Sequence, residues 1–543
     1  MVKPRLPHHD DREQLFKRCE ADVDILATAL LRYFEWLRSG ECGNWAITGA
    51  SQSWNHWRHS HYTHKILVHD NGEALRMERS AMWTGRAEAY QWGRVFGRKL
   101  YDYDWENAYP RIARDVSVPT RLRGSVTNPT PEKLYALCKR YGVVADIRVS
   151  MDRPCLPARY GGRIVWPVGT FDTVVWNPEI DLIQGNGCID SVRRAFLYTK
   201  SPCLREWADW ILGRLHSQSE GVEEWQRIVL KHWSRALIGR FAMQYKSWIQ
   251  FAEANQDQVS LQQCAGDLFP NSTQLLQVGK AVYVDGPVSE TNDACPQITS
   301  YIQSEARAKL WRVMELLPAK SIYYVDTDSI LVDSCGHNAI QRLCAYPDLD
   351  GLRLKRTFHG AEIYGPRSIV LDGKPRIAGL PKRAERQPNG DFQGEAWQSL
   401  PRAIETGNLD TVHISSRSFR VLWNDNRRTR NPNGWTDAYH LATDGMDAVY
   451  DRQARLPRAE IMSALGDIRR RTGGVSPMPN GTTGQGDSSP ISTSLDFQLS
   501  CGHWAALETQ VAIRYMRPKG KAGWCEQCGK WLKRHQESQR KEL

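Results

Sequence analysis

The sequence predicts a body of mixed helix and sheet, α/β or α+β, followed by a small appendage, and three observations carry this. Apolar residues recur at helical spacing over residues 22–37 and 223–242. Runs of β-formers flank short polar breaks, as over residues 322–332. One low-complexity stretch, 472–494, is built from Gly, Ser, Thr, Pro and Asn and reads as a linker to a basic tail, 495–543. With 543 residues the chain has length for three or four domains, at about 150 residues each, or for one multi-lobed unit.

Lys and Arg number 72 against 61 Asp and Glu, a net charge of +11, and 21 Trp and 20 Tyr accompany that excess. Such a surface attracts polyanions, nucleic acid first. No apolar stretch approaches the ~20 residues that span a bilayer, and charges stand at the N-terminus where a signal peptide needs an apolar core. A soluble, unexported protein without a membrane partner is expected. Thirteen cysteines, scattered singly apart from Cys525 and Cys528, do not form a disulfide framework and point to a reducing compartment.

In residues 321–332, apolar β-formers lie on both sides of Asp326-Thr327-Asp328. That pattern is a β-hairpin with two carboxylates at its tip. Carboxylates held so close repel unless a cation sits near them, and a divalent metal is the natural one. A bare D-x-D is also what a solvated acidic turn looks like; the flanking strands and Tyr324 favour the rigid site. A second strand-like stretch runs to Asp104 and breaks before Pro110. Beside the hairpin, Asp104 would complete a cluster for two hard cations about 4 Å apart, the arrangement of phosphoryl transfer; otherwise Asp102 and Asp104 cap a strand. The third element is residues 223–242. There Arg227, Lys231, Ser234 and Arg235 share one helical face and Trp225, Ile228, Val229, Trp233 and Ala236 another. A buried apolar stripe would present the cations to a triphosphate in the cleft; a solvated basic face is the plainer reading.

In their order along the chain the three elements resemble motifs A, B and C of family B DNA polymerases, in the organellar and viral, protein-primed-like branch. Asp104-Trp-Glu-Asn-Ala-Tyr109-Pro110 resembles the D-x-x-S-L-Y-P of motif A, and Tyr324-Val-Asp326-Thr327-Asp328-Ser329 matches the Y-x-D-T-D-S of motif C. Lys231-His-Trp-Ser-Arg235-Ala-Leu-Ile238-Gly239 follows the K-x-x-x-N-S-x-Y-G of motif B, with Arg235 in place of Asn, Ile238 in place of the aromatic, and Arg227 one turn earlier. Met82-Trp83-Thr84-Gly85-Arg86 occupies the place of the Y-x-G-G template element, with two of four positions changed. Around Arg367, Tyr364-Gly-Pro-Arg367-Ser-Ile369 resembles the K-x-Y primer segment, with Arg for Lys and Ile for Tyr.

The resemblance implies an α+β right-hand fold: a palm with an antiparallel sheet, helical fingers and a thumb. Residues 1–82 would be a remnant of, or substitute for, an exonuclease domain. Palm and fingers would span 83–380, with motif A at 104–110, B at 227–239 and C at 324–329, and the thumb 381–471. It implies a DNA-directed DNA polymerase extending a DNA 3′ end, or a protein-primed hydroxyl, with dNTPs. Asp104, Asp326 and Asp328 would hold two Mg²⁺ or Mn²⁺ ions. Arg227, Lys231 and the backbone of Glu106, Asn107 and Ala108 would hold the triphosphate. Tyr109, beneath the sugar, would exclude a 2′-hydroxyl, and Gly85, Arg86, Thr327, Ser329 and Arg367 would meet the DNA. Expected partners are primer-template DNA, dNTPs, a terminal priming protein, and a separate exonuclease or replication subunit. A phage or plasmid replicon would place the protein in a bacterial cytoplasm or nucleoid, before an organellar matrix.

Family members carry a proofreading domain of a few hundred residues before motif A, and 103 residues precede Asp104 here. Residues 16–26 resemble the tail of that domain, with Arg18 where Tyr is expected, so a chain without its own 3′–5′ exonuclease is anticipated. Residues 244–297 read as an insertion of the kind that contacts a priming protein and encircles DNA in protein-primed relatives. In the tail, Cys501, His503, Cys525 and Cys528 suit a tetrahedral zinc knuckle, with His535 as substitute ligand; free structural cysteines are the other reading. Against the enzyme stands a polymerase-derived subunit that binds DNA without synthesis, and the retention of Asp104, Asp326, Asp328 and Lys231 together argues for catalysis.

Overall fold

The strand Gly93–Trp105 is the middle of a seven-stranded sheet, in the computed structural model of this chain. The model describes residues 12–216, 221–253, 275–278, 281–318, 320–343, 346–381, 383–397, 414–419, 427–441, 494–498 and 504–508. The sheet runs Ala87–Ala89, Ile322–Asp326, Ser329–Val332, Gly93–Trp105, Leu352–Gly365, Ser368–Leu371, Lys374–Ile377, and every pairing is antiparallel. Its two faces are both covered. Tyr103, Val325 and Ile330 join one apolar core, while Leu100, Tyr324 and Leu331 join another. That alternation along neighbouring strands pins the register, because a slip by one residue would exchange the faces.

The helix Pro296–Leu316 packs across the first of these cores with Ala308, Leu310, Trp311, Val313 and Met314, and reaches a third core with Ile298, Tyr301 and Ile302. A five-stranded sheet follows motif A, in the order His440–Leu441, Val168–Trp176, Gly142–Met151, Gly187–Ser201, Val118–Thr127. Ahead of the palm stand helices Arg12–Ser39, Gly49–Ser60 and Gly72–Ser80; the last two are opened by Thr48 and Asn71, whose side chains accept backbone N–H groups. These helices and Glu224–Phe241 share a core rich in tryptophan: Trp54, Trp57, Trp207 and Trp233. Nine tryptophans are buried among the described residues, so much of the aromatic content read as a nucleic-acid surface is spent on packing.

The expected insertion contains antiparallel strands Gln244–Glu253, Leu275–Val278 and Ala281–Glu290. Past the palm, strands Glu385–Arg386, Phe392–Trp397 and Ile414–Phe419 form a small sheet. Residues 427–441 then return to the palm: the Trp92 N–H donates to the Gly434 carbonyl, Gln91 bridges Trp435, and Leu441 pairs with Gly169. The chain divides into two compact units, Met1–Pro477 and Met478–Leu543. In the second, Ser494–Gln498 pairs with Trp504–Glu508. Residues 472–493 and the expected zinc ligands Cys501, His503, Cys525 and Cys528 lie outside the described residues. No described helix is long and apolar enough to cross a membrane.

Candidate active site

Asp326 ends one strand of the predicted hairpin, and Ser329 begins the other and pairs with both Asp326 and Asp104. Three carboxylates therefore sit at one end of the palm sheet: Asp326 and Asp104 on strands that flank Ser329–Val332, and Asp328 in the turn between Asp326 and Ser329. The turn between them is tight. Thr327 takes φ +60°, a left-handed conformation costly for a β-branched residue. Its N–H donates to the Arg86 carbonyl at 2.7 Å and its hydroxyl to Asp326 Oδ1 at 3.1 Å. The Asp328 carbonyl accepts from the Trp105 N–H at 2.9 Å, tying the hairpin to motif A.

Burial pushes the Asp328 carboxyl above the ordinary carboxylate range, Asp326 adds to this, and Arg235 pulls it back down. The Lys355 ammonium contacts Asp104, which is 8% exposed. Tyr324 and Thr327 donate to Asp326, and Arg367 Nε lies 3.9 Å from it. Each carboxylate thus has its own cationic or hydrogen-bonding neighbour. Among the described residues no three His, Cys, Asp or Glu side chains converge closely enough to hold a metal ion. The donor set still fits hard divalent cations: oxygen ligands only, a buried carboxylate disfavoured in its charged form, and an ammonium standing where a cation is wanted.

Motif A leaves the sheet at Trp105. Asn107 adopts φ 53°, ψ 50°, and the helix Ala108–Asp115 starts directly after it, with Pro110 in its first turn. Asn107 tolerates that left-handed geometry better than most residues. The N–H groups of a helix's first turn lack intrahelical partners, so Ala108 begins an anion-compatible end. The Glu106 N–H, expected to join this cradle, instead donates to the Gly351 carbonyl at 2.9 Å. Tyr109 is half-buried; burial raises its pKa, Asp328 adds to this, and Arg307 and Arg235 oppose it. Its ring packs against the core that holds Trp233 and Leu237 of the motif B helix.

The motif B helix, Glu224–Phe241, is opened by a capping box between Glu223 and Gln226. Leu230, Trp233, Leu237, Ile238 and Phe241 are buried, which turns Lys231 and Arg235 outward. Ile228, expected on the apolar face, is 64% exposed. It shares the outward row with Lys231 and Arg235 because three, four and seven residues bring side chains back to one face. Arg227 Nη1 donates to the His216 carbonyl at 2.6 Å. Ile238 occupies the aromatic's place as a 3% exposed core residue.

Of the residues expected to meet DNA, Arg86 requires correction. It is 1% exposed, its Nε donates to Glu88 Oε2 at 2.6 Å, and its guanidinium stacks 5.1 Å from both the Trp166 and Trp311 rings. Its guanidinium has no route to a nucleic-acid strand. Gly85 abuts motif C so closely that a methyl group there would lie 2.5 Å from Thr327 Oγ1. Ser329 turns its hydroxyl to the Asp326 carbonyl at 3.2 Å. Arg367 takes φ 58° in the turn after Leu352–Gly365, and its N–H donates to the Tyr324 hydroxyl at 2.7 Å. That bond holds its backbone beside motif C, and its exposed side chain lies near Asp326.

Two residues near the site escaped the sequence reading. Lys355 sits at a bulge in its strand, which the sequence does not mark. Arg307 lies on the long helix, 3% exposed, paired through two nitrogens with the fully buried Glu179 and donating to the Trp83 carbonyl at 2.8 Å. Arg235, read from its helical phase with Lys231, is exposed as expected, whereas Ser234 of the same expected face is 2% exposed.

No known family profile matches the chain. A curated relative, "Probable DNA polymerase" from Neurospora intermedia, is 21% identical over 341 residues, 60% of this chain and 34% of the relative. This chain thus spans about a third of that protein's length. Among solved structures it is similar to phi29 DNA polymerase with primer-template DNA and incoming nucleotide: TM-score 0.54, 13% identity, 78% of this chain and 76% of that one. The binary complex of the same polymerase with primer-template DNA gives TM-score 0.53, 14% identity and coverages of 78% and 74%. At such identity the likeness is one of fold: a mixed helix-and-sheet, polymerase-like architecture.

Proposed function

We propose that the chain is a DNA-directed DNA polymerase that adds dNTPs to a DNA 3′ end and releases pyrophosphate. The observation that carries this is the placement of Asp104, Asp326 and Asp328 at one end of an antiparallel sheet, with the charge of Arg235 on the motif B helix acting on Asp328. Asp104 and Asp328, assisted by Asp326, would hold Mg²⁺ or Mn²⁺. When bound, such ions neutralise the triphosphate and lower the pKa of the attacking hydroxyl.

The chain's own groups supply the rest. Lys231 and Arg235 present point and forked charge to the triphosphate from the outward helix face. Arg227 lies one turn before Lys231, bonded to the His216 carbonyl. Tyr109 supports the sugar, and Asn107 and Ala108 offer backbone N–H groups to the phosphates. Arg367, held by Tyr324, steadies the primer end. Gly85, Thr327 and Ser329 shape the floor on which the primer terminus lies. A phage, plasmid or organellar replicon is the setting the sequence resemblance favours, with a DNA 3′ end or a terminal protein's hydroxyl as primer.

The test is extension of a primed DNA template with Mg²⁺ and dNTPs by the intact chain and by Asp328→Asn at matched folding. Extension by the first and its loss in the second supports the reading; omitting the primer separates primed from protein-primed or primer-independent initiation. Salt-dependent binding of primer-template without nucleotide addition, in Mg²⁺ or Mn²⁺ and with a priming protein present, would replace it with the non-catalytic subunit.

A further inference from the structure

The segment 427–441 brings a charged side chain from far along the chain into the back of the motif C hairpin. Arg428, 5% exposed, donates through Nη1 to Glu88 Oε1 at 3.0 Å and through Nε to the Thr436 hydroxyl at 2.9 Å. Thr436 in turn donates to the Ala89 carbonyl at 2.7 Å. Glu88 is fully buried, and its second oxygen accepts from Arg86 Nε at 2.6 Å and from the Tyr90 hydroxyl at 2.9 Å. Two guanidiniums thus grip one carboxylate on the edge strand Ala87–Ala89.

That strand is the neighbour of motif C. Ala87 pairs with Asp326 and Glu88 with Val325. The Arg86 carbonyl receives the Thr327 N–H at 2.7 Å. Thr327 is the β-branched residue at φ +60° between the two carboxylates, and such a conformation persists only where surrounding contacts over-determine it. The Arg86 carbonyl is one of those contacts, and the Arg86 side chain is held by Glu88 together with the Trp166 and Trp311 rings.

We propose that Arg428 is a positioning residue for the motif C carboxylates. It fixes Glu88, Glu88 fixes Arg86, and Arg86 holds the Thr327 turn that aims Asp326 and Asp328. This rests on reading those two residues as the reacting site's carboxylates. Without Arg428, Glu88 Oε1 loses a buried charged donor and the carboxylate rotates onto Arg86. The Arg86 backbone then shifts, and Thr327 relaxes toward an ordinary conformation.

The experiment compares the full chain with Arg428→Met, Arg428→Lys and the milder Thr436→Val, which removes the hydroxyl that Arg428 Nε meets. Hydrogen exchange is read over peptides covering 324–329 and the helix Pro296–Leu316, and kcat and KM for dNTP are read in primer extension. In Arg428→Met, exchange at 324–329 should speed up roughly 10-fold while the helix is unchanged. Turnover should fall on the order of 10-fold with KM for dNTP within about twofold. Arg428→Lys, keeping the charge on Glu88, should recover part of both, and Thr436→Val should show the same pattern more weakly. Unchanged exchange at 324–329, faster exchange throughout the unit in all three variants, or a change in KM alone overturns the proposal. The exchange arm needs no activity, so a wild-type chain that extends nothing would defeat the polymerase reading while exchange still decides the role of Arg428.

Discussion

Gly85 and Thr327 touch with no room for a side chain between them: a methyl on Gly85 would meet Thr327 Oγ1 at 2.5 Å and Cγ2 at 2.6 Å. Gly85→Ala should therefore displace the motif C turn and lower primer extension on the order of 10-fold, with little change in overall stability. Thr327→Gly removes the clashing atoms and suits φ +60°, so the double variant should recover extension lost in Gly85→Ala. A double variant no better than the single one would show that Gly85 acts elsewhere.

Lys355 contacts Asp104 and competes with any cation for that carboxylate. Lys355→Ala should tighten Mn²⁺ binding severalfold, of the order expected when one neighbouring positive charge is removed at the protein surface, as read by electron paramagnetic resonance of free Mn²⁺. Weaker binding in the variant would make Lys355 a support of the site and not a competitor.

Arg307 and Glu179 form a buried pair, 2% and 0% exposed in their side chains. Arg307→Met leaves the Glu179 carboxylate without its charged partner and the Trp83 carbonyl without its donor. A loss of about 3–5 kcal/mol in urea unfolding is expected. Replacing both residues, Arg307→Met with Glu179→Leu, should cost less than Arg307→Met alone, since no uncompensated buried charge remains.

His56 is fully buried and neither ring nitrogen has a hydrogen-bond partner among the described residues. Burial, with His61, Arg214 and His59 nearby, lowers its pKa from 6.5 to about 3. The unfolded chain takes up this proton as pH falls through 6.5, and the folded chain does not until about 3. Stability is therefore complete above pH 6.5 and erodes below it, by up to about 1.4 kcal/mol per pH unit from this group. His56→Phe should flatten the fall in urea midpoint between pH 7.5 and 5; an equally steep fall would assign the acid sensitivity to other groups.

The sequence by itself determined the parts whose pattern is local. The hairpin of Asp326 and Asp328 was legible because apolar β-formers border a short acidic turn, and the strand ending at Asp104 because the break before Pro110 is written in neighbouring residues. The helix with Lys231 was legible from its period, although Ile228 lies on its outward row: an isoleucine looks apolar in a sequence whatever it faces. Tertiary structure decided what each charge does. Arg86 reads as a surface cation, yet Glu88, Trp166 and Trp311 enclose it, and they come from three separate stretches of chain. Lys355 meets Asp104 only because two strands more than two hundred residues apart in sequence pair at a bulge. Residues 427–441 carry no motif, and Arg428 matters only through the strand it reaches. Local pattern sets which backbone conformation a segment prefers; whether a charge is solvated, paired or sealed depends on partners that only the folded chain brings within a few ångströms.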